Sequence, residues 1–192
     1  LAACREQARS VALLSGERVR VETFRTLMAP DPADVFQLMQ GAGVIEHVLP
    51  EAARIDRLRM MTWLDSRAMR FESVTPDPIR RLAALIETDG QGADAIADRF
   101  RMSNEHRRRL AAMMNPEDAI SPDAEPRLIR RALHHLGSAT VRDLALLSWA
   151  DELASAGRLP HSRTEGWIAI IEAADAWTPK TFPLRGRDAL AL

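Results

Sequence analysis

The sequence predicts an all-α fold of about nine or ten helices with no sheet. Three observations carry that prediction. Apolar residues recur at i, i+3, i+4 and i+7 along the 192-residue chain, the mark of one helix face. No run shows period-2 alternation closed by turn dipeptides. Tyr is absent and aromatics are 5% of residues, where sheets draw on aromatic and β-branched side chains.

The elements follow in order. Leu1–Leu14 reads as a helix. Ser15 is an N-cap, with Glu17 in the first turn opposing the positive end of the dipole. Val21, Phe24 and Met28 then form the expected apolar face. Asp31-Pro32 is a second start signal, with proline at the first helical position. That helix is expected to bury Val35, Leu38 and Met39 and to end near Gly41 or Gly43. Val44 to about Arg59 follows, interrupted by Pro50. Asp77-Pro78 starts a helix whose stripe is Ile79, Leu82, Ala83 and Ile86, with Arg80-Arg81 beyond it. Ala93, Ile96, Ala97 and Phe100 mark the next. Ser103 caps a helix carrying Leu110, Met113 and Met114. Arg127–Leu136 is expected to bury Leu128, Ala132 and Leu136 and to stop at Gly137. Leu146, Trp149 and Leu153 mark a helix ended by Gly157, and Trp167, Ile170, Ala174 and Trp177 mark the last. The Pro-rich stretch Asn115–Pro126 is the candidate hinge.

Composition excludes several classes. Lys+Arg total 26 against 27 Asp+Glu, a net charge of −1, unlike a histone-like chain. One cysteine, Cys4, excludes an intramolecular disulfide and a Cys-rich zinc site. No apolar stretch approaches a membrane span, and none forms a signal-peptide core. A cytoplasmic protein is the expectation. The chain starts at Leu1 and stops inside the apolar run Asp188-Ala-Leu-Ala-Leu192, so both ends read as cut.

No catalytic constellation is visible. There is no Gly-rich phosphate loop and no nucleophile elbow. Asp123-Ala124-Glu125 lies between prolines, with no glycine turn before it, and reads as a loop or helix start rather than a two-metal carboxylate pair. His47, His106, His134, His135 and His161 have no partner at a ligand spacing; no metal is expected. Arginine is the salient residue: of the 26 cations, only Lys180 is not Arg. Arg127, Arg130, Arg131 and His134 share one helix stripe. Arg107-Arg108-Arg109 follow a cap, Arg80-Arg81 lie beside an apolar stripe, and Arg185 and Arg187 fall near the end. Two readings stand: solvated helix faces, or phosphate contacts on a folded nucleic acid. Ala95–Arg109 also reads like a helix-turn-helix, which keeps a DNA-binding or scaffold protein as the alternative.

Several segments together resemble the bacterial tRNA nucleotidyltransferase (CCA-adding enzyme) and poly(A) polymerase family. Leu14-Ser-Gly-Glu-Arg-Val-Arg-Val-Glu22 resembles the family's Ser-x-Glu-Arg-x-x-x-Glu motif, which follows the nucleotide-selecting helix. Gly43-Val-Ile-Glu-His-Val-Leu-Pro50 resembles the Gly-Val-Leu…Leu-Pro-Glu segment after it. Asp77–Leu85 and Leu110-Ala-Ala are similar to later body helices, and Phe182–Leu192 to the segment that opens the tail. The family's Gly-Gly-x-x-Arg-Asp, Asp-x-Asp, Arg-Arg-Asp-Phe and Glu-Asp-x-x-Arg elements do not occur in these residues.

The resemblance implies the rest of a neck over residues 1–30, a helical body over 31–115, a hinge at 116–126, and the body end and start of a tail over 127–192. It implies a full enzyme that adds nucleotides to a tRNA 3′ end with ATP, CTP and Mg²⁺, its chemistry in a head preceding Leu1. This portion would catalyse nothing alone, hold tRNA and brace the nucleotide-selecting helix. Ser15, Glu17, Arg18 and Glu22 match the bracing motif, with Arg18 and Glu22 expected to pair at i, i+4. The arginines named above are the expected phosphate grip.

Overall fold

Why the apolar stripes converge on one core is visible in the computed structural model, which describes residues 2–68, 71–117, 119–156 and 160–179, the side chains of 67, 161 and 162 aside. The described residues form ten α-helices and no sheet. They are α1 (Ala2–Gln7), α2 (Gly16–Leu27), α3 (Pro32–Gly41), α4 (Ile45–Val48), α5 (Ile55–Trp63), α6 (Pro78–Leu85), α7 (Gly90–Arg99), α8 (Asn104–Met114), α9 (Pro126–Ala156) and α10 (His161–Asp175). The expected first helix is split: α1 passes into a 3₁₀ turn over Ala8–Leu13. The Val44–Arg59 pattern also divides, into α4 and α5, and α5 runs on into a π segment, Leu64–Ala68. Between them one antiparallel bridge, Ala52 with Ile86, ties the approach to α5 to the exit of α6.

The expected caps form. Ser15 Oγ accepts from the Arg18 amide, Asp77 from Arg80 at 2.8 Å, and Ser103 from His106 at 3.2 Å. Asp89, which the sequence reading passed over, caps α7 by accepting from the Gly92 amide at 2.8 Å. Gly137 adopts φ +80°, a left-handed value that favours glycine, and breaks α9 into 126–136 and 138–156.

Helix α6 is the axis of the fold. Every residue from Ile79 to Leu85 is buried, because α2, α5, α8 and α9 all pack around it. One hydrophobic cluster runs without a break from Leu27 in α2 to Ala174 in α10. The 116–126 connection therefore joins elements that share a core.

Three registers differ from the sequence reading. In α3 the core takes Ala33 and Phe36, and Val35 and Leu38 are exposed; the helix is apolar nearly all round, and the larger aromatic face takes the burial. In α2 the buried residues are Thr23 and Leu27, with Phe24 half-buried and Val21 and Met28 exposed. In 126–136 the buried residues are Ile129, Ala132 and Leu133, whereas Leu128 is half-exposed. The stripes of α6, α7 and α8 bury as expected, with Met114 only partly covered.

Candidate nucleic-acid interface

The N-terminal segment is seated on the rest of the molecule by a close approach. A Cβ built on Gly16 would lie 2.0 Å from the Arg99 carbonyl oxygen, so only glycine lets the start of α2 meet the end of α7. One turn on, Arg20 donates to the Phe100 carbonyl at 3.3 Å and to the Arg101 carbonyl. Those carbonyls sit at the end of α7, where backbone acceptors lack helical partners and a cation opposes the dipole. Arg101 is itself at φ +50°, the left-handed position of the four-residue turn between α7 and α8. On the other face His106 of α8 rests against Phe24, ring centroids 6.3 Å apart.

Around this seat lie the four motif residues. Ser15 caps α2. Glu17 is exposed in the first turn; hydrogen bonding to its own backbone, then to Ser15, and the charges of Arg101 and Arg20 hold its carboxyl below the usual range. Arg18 is exposed. Glu22 pairs with Arg25 at 3.5 Å instead of with Arg18. The choice follows helix polarity, since an acid N-terminal to its base is the better orientation.

The arginine clusters separate into two populations. Arg80 and Arg81, expected as phosphate contacts, are buried at 4% and 1% exposure. Arg80 Nε donates to Asp143 Oδ1 at 2.9 Å and Nη1 to the Thr75 carbonyl at 3.1 Å. Arg81 grips Asp65 with two hydrogen bonds of 2.9 and 2.7 Å and donates through Nη1 to the Leu27 carbonyl at 2.7 Å. Both face buried carboxylates and not the solvent face that the sequence suggests. With α6 enclosed on all sides, the face opposite its apolar stripe meets core, and each guanidinium there needs a buried carboxylate.

The Arg107-Arg108-Arg109 run divides three ways, as successive residues on a helix point about 100° apart. Arg107 turns back to α7, bridging Asp98 and, at 3.5 Å, Asp94. Arg109 points inward and joins Asp143 at 2.6 Å to Asp77 at 2.8 Å. Burial works against the charge of Arg109, but the two carboxylates outweigh it and raise its pKa. Arg108 is exposed and has no ion-pair partner among the described residues.

Arg127, Arg130 and Arg131 of α9 are all exposed, with His134 beside them, and none has an ion-pair partner among the described residues. Their charge is available to a polyanion. Arg185 and Arg187 lie outside the described residues. Among those described, no group of three or more His, Cys, Asp or Glu is placed to hold a metal ion. No described helix is long and apolar enough to cross a membrane.

A family match falls on the same N-terminal segment. Residues 1–55 match the family described as "Probable RNA and SrmB-binding site of polymerase A". That match supports an RNA-binding region of the poly(A) polymerase family, and with it an RNA partner. It spans α1 to α4, including the cap at Ser15 and the seat at Gly16 and Arg20. The chain is also similar to an "Uncharacterized 28 kDa protein in petA 5'region" of Rhodospirillum rubrum, with 49% identity over 70 residues. That alignment takes in 36% of this chain and 28% of the relative's length.

Sequence reasoning missed the residues that lock the segment in place. Gly16 and Arg20 could be flagged only as a glycine after a cap and an arginine inside a motif. Their partners lie some eighty residues downstream, at the end of α7 and in the α7–α8 turn.

Proposed function

We propose that this chain is the RNA-holding helical portion of a tRNA nucleotidyltransferase or poly(A) polymerase, acting in the cytoplasm with a catalytic head that it does not itself supply. The match of residues 1–55 to the RNA-binding family carries this reading. The finer assignment to tRNA draws support from the motif Ser15, Glu17, Arg18 and Glu22 and from the exposed arginines of α9, which have no ion-pair partner among the described residues. In this account α2 braces the helix that selects the nucleotide, and its rigidity comes from the Gly16 and Arg20 contacts. The exposed arginines hold tRNA phosphates, positioning the RNA without reading its sequence. Mg²⁺, ATP and CTP belong to the head.

Electrophoretic shift and a nucleotide-incorporation assay test the proposal. The chain alone is expected to bind tRNA more tightly than a DNA duplex of equal charge, and to add no nucleotide with Mg²⁺, ATP and CTP. Incorporation by the isolated chain, or tighter binding to DNA, would overturn it.

A further inference from the structure

We propose that the cavity at the bend of α9 holds one unpaired RNA nucleotide, its base against Trp177 and its phosphate on Arg130 and Arg131. This rests on the RNA-binding reading above and adds the kind of RNA group the surface takes. The cavity measures about 450 Å³, and its walls include Leu133, His134, Leu136, Gly137, Trp177 and Pro179. Gly137 turns the chain there, and a Cβ built on it meets nothing within 4 Å, so the bend leaves the space open.

The cavity continues the cationic stripe. His134 belongs to both, and Arg130 and Arg131 stand one helical turn before it, at roughly 5–6 Å between Cβ atoms. A surface that is positively charged outside and aromatic inside fits a group with an anionic end and a flat apolar end joined by a short linker. A nucleotide has that form. None of the described lining residues is acidic. The volume suits one ring system and is too small to seat a helix of a protein partner. In a duplex the bases are stacked inside and the A-form grooves offer shape, phosphates, 2′-hydroxyls and base edges but no free base face, so the occupant is an unpaired nucleotide. Stacking on an aromatic side chain tolerates any base.

The test uses the whole chain, with a short 5′-phosphorylated oligoadenylate and a blunt RNA duplex as probes, read by fluorescence anisotropy. Trp177→Ala should weaken oligoadenylate binding roughly 5- to 160-fold, the loss expected for one stacked base, and leave the duplex affinity unchanged. Trp177→Phe should restore most of the loss, and matched melting curves would separate a binding defect from a folding one. Arg130→Gln with Arg131→Gln should lower the log–log salt slope for the oligoadenylate by about 1.4, two single-strand phosphate contacts at about 0.7 each. An equal loss on both probes in Trp177→Ala, or no loss on either, would overturn the site. If the unaltered chain binds neither probe, the RNA reading itself fails.

Discussion

Replacing Arg81 with methionine separates a structural arginine from an RNA contact. Arg81 is 1% exposed, and its guanidinium makes hydrogen bonds of 2.9 and 2.7 Å to Asp65, 2.7 Å to Ser66 and 2.7 Å to the Leu27 carbonyl. Asp65 is itself 3% exposed, so the substitution strands its carboxylate away from water. Breaking a buried pair by removing one partner costs about 3–5 kcal/mol. For a chain of this size each kcal/mol moves the melting temperature by about 2–4 °C, so a fall of roughly 6–20 °C is expected. The loss also frees the end of α2, because the Leu27 carbonyl loses its donor; amide exchange in α2 should rise with it. A second variant, Arg81→Met with Asp65→Leu, removes the stranded charge and should recover most of the stability, since apolar replacements of buried pairs are often near neutral. Melting followed by circular dichroism measures both. A drop under about 1 kcal/mol in the single variant, together with a loss of RNA affinity, would refute the assignment of Arg81 to the core.

Other outcomes follow from the same geometry. Gly16→Ala places a methyl group against the Arg99 carbonyl, so α2 must shift; a loss of about 1–3 kcal/mol is expected by denaturant titration, with weaker RNA binding. Ser15→Ala removes the α2 cap and should cost about 1 kcal/mol in the same assay. Burial alone would raise the pKa of Asp77, but the Arg80 amide and Arg109 outweigh it and hold the carboxyl below its ordinary value. A depressed carboxylate contributes stability above its unfolded pKa and loses it as pH falls through the folded one. Stability should therefore drop below about pH 4, and Asp77→Asn should flatten that drop; an unchanged pH profile in the variant would count against the Asp77–Arg109 link.

The legible parts of the fold were those set by local rules. Ser15, Asp77 and Ser103 cap helices because side-chain oxygens reach amides three residues on, and Gly137 breaks α9 because glycine tolerates a left-handed φ. The stripes of α6 and α7 were legible because their apolar residues recur at i, i+3, i+4 and i+7. In α3 two faces competed, and burial of Phe36 was decided by the helices around it. For α6 the sequence could not show enclosure: Arg80 and Arg81 look like a solvent face until Asp65 and Asp143, distant in sequence, arrive from the π segment and α9. Local pattern cannot separate a core guanidinium from a surface one. That is also why Arg107 and Arg109 are found in ion pairs within the fold while Arg108, Arg127, Arg130 and Arg131 are exposed.

The central claim is that the exposed arginines of α9 hold RNA. The direct measurement is the salt dependence of tRNA affinity for the whole chain and for the triple variant Arg127→Gln, Arg130→Gln, Arg131→Gln. The account predicts a log–log slope lower by roughly 2–3, three phosphate contacts at about 0.7–0.9 each, with an unchanged melting curve because these side chains are exposed. An unchanged slope and affinity in the triple variant would contradict it.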